Sequence, residues 1–133
     1  MIQKTIALVA DDNKKLEMAE WANFNKEFLK QFHLVGTQGT AKSIHNITGL
    51  TVDVMGHGPD GGDIIIAYEV LNHRIDYLFF FIDVRTPHGH EHDIQTLIRT
   101  CVLNDIPLAL NRTTGDLMIS TLSTKACEEN SKK

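Results

Sequence analysis

Cysteine, proline and tryptophan are scarce in this chain, and positive charge is in the minority. Two cysteines, Cys101 and Cys127, in 133 residues make neither a disulfide framework nor a metal or redox spacing. Cys101 reads as a buried thiol, and Cys127 lies in a polar tail. Three prolines and nine glycines are too few for a collagen-like or low-complexity chain. Thirteen Lys and Arg against seventeen Asp and Glu leave a net charge of −4, with no basic cluster, so nucleic acid is not an expected partner. Small anions stay open as ligands, because helix ends and backbone amides bind them without a basic surface. The longest apolar run, YLFFFI, is far shorter than the ~20 residues of a membrane span. The opening MIQKTIALVADD has too short an apolar stretch for a secretory signal. These absences predict a cytoplasmic protein with free thiols. What is present is an ordinary globular mixture, 42% hydrophobic and 23% charged, at the length of a single domain.

Five short apolar runs read as strands: KTIALVA (4–10), residues 32–35, residues 50–55, DYLFFFI (76–82) and residues 106–110. The first and fourth are apolar almost throughout, the mark of strands covered on both faces. Helical periods fill the intervals. Met18, Trp21, Ala22, Phe28, Leu29 and Phe32 share a face after the cap candidates Asp11, Asp12 and Asn13. Further helices are predicted over 41–48, 61–72, 93–103 and 112–122. The domain is expected to occupy 1–122, with 123–133 a fraying polar tail. Alternating strand and helix predicts an α/β fold, a single-domain doubly wound parallel five-stranded sheet with helices on both faces. Ligands of such sheets sit outside the carboxyl ends of the strands.

The residues at those ends are therefore the candidates. Thr37-Gln38-Gly39-Thr40 joins a strand to a helix start and can cradle a phosphate with hydroxyls, a bare backbone and a helix dipole. It can equally be a helix cap, with Thr40 as the capping residue. Lys15, in the first turn of the first helix, adds a point charge to the same rim. Residues 36–43 (GTQGTAKS) approach the Walker A pattern but have Ala41 where its last glycine belongs, which argues against a nucleotide triphosphatase. The stretch 56–63 (GHGPDGGD) is richer in glycine than a capping turn requires, and Asp63 falls in the first turn of the next helix. In 83–93 (DVRTPHGHEHD), His88, His90 and His92 alternate before Asp93. That pattern permits a metal site, acid–base chemistry by an imidazole beside a carboxylate, or a plain solvated loop.

Together these pieces resemble the methylglyoxal synthase family over nearly the whole chain. IALVADDNKK is similar to the family's first strand and lysine-bearing helix start, HGPDGGD to its S-G-P-x-G-G-D signature, IDYLFFFIDVRTPHGHEHDIQTLIR to its strand and H-x-x-D helix start, and IPLALNRTTGDLMI to its closing strand and helix. The resemblance implies a lyase that converts dihydroxyacetone phosphate to methylglyoxal and inorganic phosphate with no metal or organic cofactor. It implies Asp63, His90 and Asp93 as catalytic residues. It implies Asp11, Lys15, Thr37, Gln38, Gly39, Thr40, His57 and Gly58 around substrate and phosphate. It also implies a homohexamer, with inorganic phosphate as product and allosteric inhibitor. The chain departs from the family at Asp11 (usually histidine), at Gln38-Gly39 within a usual T-G-T-T, and at His57 (usually serine). The family's longer C-terminal helix, whose arginine serves a neighbouring subunit's phosphate site, is expected to have no counterpart here. A regulatory domain that binds a phosphorylated or anionic ligand without catalysis is the alternative such departures leave open.

Overall fold

In a computed structural model, which describes residues 3–57, 60–86, 89 and 91–131, the five strands form a parallel sheet in the order β3-β2-β1-β4-β5. They are β1 (Thr5–Ala10), β2 (His33–Gly36), β3 (Asp53–Val54), β4 (Tyr77–Phe81) and β5 (Leu108–Ala109). The helices are α1 (Lys15–Phe24), α2 (Lys26–Leu29), α3 (Gln38–Thr48), α4 (Gly62–Leu71), α5 (Glu91–Leu103) and α6 (Arg112–Ser131), with a 3-10 turn over Asp12–Lys14 before α1.

The pleat divides the apolar residues of the two central strands between two cores. Ile6, Leu8 and Ala10 of β1 and Phe79 and Phe81 of β4 face Trp21 of α1, Ile44 of α3 and Ile119 of α6. Ala7, Val9, Leu78 and Phe80 face Ile66 and Val70 of α4 and Leu97 and Cys101 of α5. Trp21 anchors the first core, its ring centroid 4.9 Å from that of Phe79 and 5.3 Å from that of Phe81. Its indole N–H donates to Asp116 Oδ1 on α6 at 3.0 Å, so the polar end of the ring is also satisfied.

Several boundaries differ from expectation for identifiable reasons. The helical period after Met18 runs on to Phe32, yet α1 stops at Phe24. The Asn25 side chain donates to the Trp21 carbonyl at 2.8 Å and competes with the helix. Of residues 50–55, only Asp53–Val54 pair with β2. Leu50 and Val52 are buried without joining the ladder. α3 begins at Gln38 and α5 at Glu91, earlier than their apolar faces indicate, so Asp93 lies inside the first turn of α5 and does not cap it. The closing helix runs past Leu122 to Ser131.

Candidate active site

The chain steps outward from β1 to β2 to β3 and then returns to β4 on the other side of β1, so the sheet order reverses between β1 and β4. A ligand crevice is expected outside the carboxyl ends of these two strands. Each crossover helix carries the chain from the end of one parallel strand to the start of another. The N-termini of α3, α4 and α5 therefore lie on the rim formed by the strand C-termini.

At the reversal point the backbone is tied across the gap. The Asp11 N–H donates to the Phe81 carbonyl at 3.1 Å, and the Asp83 N–H donates to Asp11 Oδ2 at 2.8 Å. Asp11 is buried. Its carboxylate thus accepts from the backbone just after β4. Asp83 is one of the strand-end residues, although the sequence reading assigns it no role of its own. Its Oδ2 accepts from the Asn13 amide at 2.9 Å and its Oδ1 from the Arg85 N–H at 3.0 Å. The Thr86 hydroxyl, then the Asn13 amide, then the Arg85 N–H stabilise the charged form and hold Asp83 at about 2.

Beside β1, Thr37 takes the N-cap position of α3. Its hydroxyl donates to Thr40 Oγ1 at 3.3 Å, and Thr40 Oγ1 accepts from the Ala10 N–H at 3.0 Å. Thr40 is fully buried, and its hydroxyl pins α3 to the end of β1. The N-cap position is held by Thr37 rather than Thr40, and the Thr37 side chain makes no capping hydrogen bond. The Gln38 N–H donates to the Gly56 carbonyl at 2.8 Å, joining α3 to the glycine-rich loop. By helix geometry the N–H groups of Gly39 and Thr40 have no intrahelical acceptor, which keeps an anion cradle available there. The Lys15 ammonium lies 3.1 Å from the Ala10 carbonyl and 2.5 Å from Asp12 Oδ1. Its stem crosses Gly39 so closely that a Cβ there would meet Lys15 Cε at 2.7 Å.

The glycine-rich loop folds back on itself. The Asp60 and Gly62 N–H groups donate to the His57 carbonyl at 2.9 and 2.8 Å, and His57 Nδ1 lies 3.0 Å from Asp60 Oδ2. A Cβ at Gly62 would sit 2.7 Å from the His57 carbonyl carbon, so only glycine lets the loop close. The closure delivers Asp63 to the first turn of α4, where it is fully buried. Asp93 lies half-buried in the first turn of α5, which packs beside α4. Lys15, Thr37, Gln38, Gly39, Thr40, His57, Asp63 and Asp93 thus fall at helix starts or strand-end loops, with direct contacts joining Lys15 to Gly39, Thr37 to Thr40 and Gln38 to Gly56. His90 and Gly58 lie outside the described residues, as does His88, while His92 is exposed on α5. Among the described residues, no group of three or more His, Cys, Asp and Glu could hold a metal ion. Nor is any helix among them long and apolar enough to cross a membrane.

A buried carboxylate at one helix start, a second at its neighbour, and an ammonium beside a third can hold an anion and move a proton next to it. The MGS-like domain family model matches residues 17–110. A methylglyoxal synthase of Clostridium acetobutylicum is 42% identical over 119 residues, covering 90% of this chain and 82% of that protein. Another, of Treponema socranskii, is 44% identical over 121 residues, covering 87% of this chain and 77% of that protein. The crystal structure of a methylglyoxal synthase from Elizabethkingia anophelis superposes with a TM-score of 0.84 at 34% identity, covering 89% of this chain and 78% of that one. On this likeness of sequence and of fold, the chain belongs to the MGS-like domain family.

Proposed function

We propose that this chain is a methylglyoxal synthase, a carbon–oxygen lyase that converts dihydroxyacetone phosphate to methylglyoxal and inorganic phosphate. The observation that carries the reading is the 42% identity with a methylglyoxal synthase over 90% of the chain. Support comes from Asp63, a carboxylate fully buried at a helix start on the rim where such sheets bind ligands.

In this reading Lys15, the first-turn amides of α3 and the segment Thr37-Gln38-Gly39-Thr40 hold the phosphate, with His57 and Gly58 closing over it and Asp11 at its floor. Asp63 removes a proton from the hydroxymethyl carbon. His90 donates to the carbonyl oxygen where charge develops, an interaction worth ~3–4 kcal/mol. Asp93 is the second essential carboxylate. The electron pair of the resulting enediolate forms a carbon–carbon double bond as the adjacent carbon–oxygen bond breaks and phosphate departs. The enol left behind takes a proton on its terminal carbon and becomes methylglyoxal. Holding the phosphate fixes the breaking bond in line with the π system. The enzyme works in the cytoplasm as a homohexamer and is inhibited by inorganic phosphate.

The test is a direct assay of purified protein with dihydroxyacetone phosphate. Equal amounts of methylglyoxal and phosphate should appear, and Asp63→Asn should abolish turnover while still binding a phosphate analogue. Wild-type protein that binds the analogue but releases no phosphate would hand the fold to a ligand-binding role.

A further inference from the structure

Just beyond the carboxyl ends of β1 and β4 lies a cavity of about 500 Å³ lined by Lys14 and Arg85 together with Asn13, Asp83 and Thr86. It contains both signs of charge, but the negative one is committed. Both oxygens of Asp83 accept hydrogen bonds from the cavity's own wall, Oδ2 from Asn13 and Oδ1 from the Arg85 N–H. The Asn13 amide also reaches Thr86 Oγ1 at 3.0 Å, so these bonds lock the loop to the 3-10 turn. The cations are not committed in this way. Arg85 is exposed, and the Lys14 ammonium keeps a loose pair with Glu17 at 3.9 Å. The backbone of Arg85 is held by Asp83, so its guanidinium starts from a fixed point. A planar guanidinium and an ammonium on the wall of one cavity suit a tetrahedral oxyanion.

We propose that this cavity is a second anion site, which takes a phosphate group through Arg85 and Lys14. It shares the strand-end rim with the α3 cradle but is lined by other residues, and the cradle is the first site only on the reading given above. Consecutive lysines serve the two sites. Lys15 runs across Gly39 toward the β2 side, whereas Lys14 lines the cavity toward β4. The phosphate group can be free inorganic phosphate or the phosphoryl group of a metabolite.

Calorimetric titration of the full chain with inorganic phosphate at fixed ionic strength tests this. Two binding events per chain are expected. Arg85→Gln and Lys14→Gln should each weaken one of them by about tenfold, the loss of a single charge-assisted hydrogen bond. Arg85→Lys should weaken it less. Lys15→Gln should weaken the other event and leave the Arg85-dependent one in place. Circular dichroism melts confirm that each variant is folded. Repeating the titration with glycerol 3-phosphate separates the sources. An Arg85-dependent event with inorganic phosphate alone assigns the site to the free ion, and one with the ester as well assigns it to phosphorylated metabolites; either supports the site. A single phosphate per chain in the wild type, an unchanged isotherm in Arg85→Gln, or loss of both events in Lys15→Gln would overturn it. Absent turnover of dihydroxyacetone phosphate would defeat the lyase reading and leave this result standing.

Discussion

The Asp83 N–H donates to the Asp11 carboxylate at 2.8 Å, joining the ends of β1 and β4 where the sheet reverses its order. In this fold the Asp11 carboxylate accepts from the neighbouring strand end. Asp11→Ala should therefore cost about 1–3 kcal/mol by leaving a buried N–H without its acceptor. Asp11→Asn, which keeps an acceptor oxygen, should cost less. Urea unfolding followed by the fluorescence of Trp21, the single tryptophan, measures both.

Gly39 and Lys15 form a second pair of this kind. Alanine at 39 meets Lys15 Cε at 2.7 Å, and the flexible lysine stem is the part that yields. Alanine is also the better helix former by up to ~1 kcal/mol. Gly39→Ala should leave the melting temperature unchanged or raised while weakening phosphate binding to the α3 cradle by about tenfold, as expected for one displaced charged donor. A variant that melts early, or that binds phosphate like the wild type, would show that Gly39 does not place Lys15.

Asp83 sets an acid limit on stability. Its carboxyl is held at about 2 against an ordinary 3.8, chiefly by the Thr86 hydroxyl and the Asn13 amide. A carboxyl lowered by folding contributes stability that is fully present above its unfolded value and lost as pH falls through its folded one. Wild-type stability should therefore decline more steeply than that of Asp83→Asn between pH 3.8 and about 2. Urea midpoints across that window decide it, and parallel curves would exclude the contribution.

Burial pushes the Cys101 thiol up to about 11 from an ordinary 9.0. The thiolate is the reactive form, so little of it exists at pH 8. Peptide mapping after iodoacetamide treatment should find Cys101 unmodified in the native protein and alkylated after unfolding. Rapid native labelling would mean that α5 opens readily from the sheet.

Much of the architecture follows from residue order alone. The apolar runs of β1 and β4 cannot lie on a solvated surface, and a helix between each pair of strands leaves a doubly wound parallel sheet as the economical solution. The family likeness around GHGPDGGD reaches Asp63 in the same way, because Gly61 and Gly62 mark the turn that delivers it. Local signals failed where a side chain or a neighbouring strand overrode them. Asn25 ends α1 within a continuing apolar period, and Leu50 and Val52 are buried without pairing.

Periodicity and glycine placement thus determined, from the sequence by itself, the kind of sheet and so the rim on which a ligand site is expected. Only the tertiary structure decided how that rim is wired: Asp11 to the Asp83 backbone, Asn13 to the Asp83 carboxylate, Lys15 across Gly39, and Thr40 to the end of β1. The physical reason is separation along the chain. Asp11 and Asp83 are 72 positions apart, and a hydrogen bond between them exists only because β4 lies beside β1.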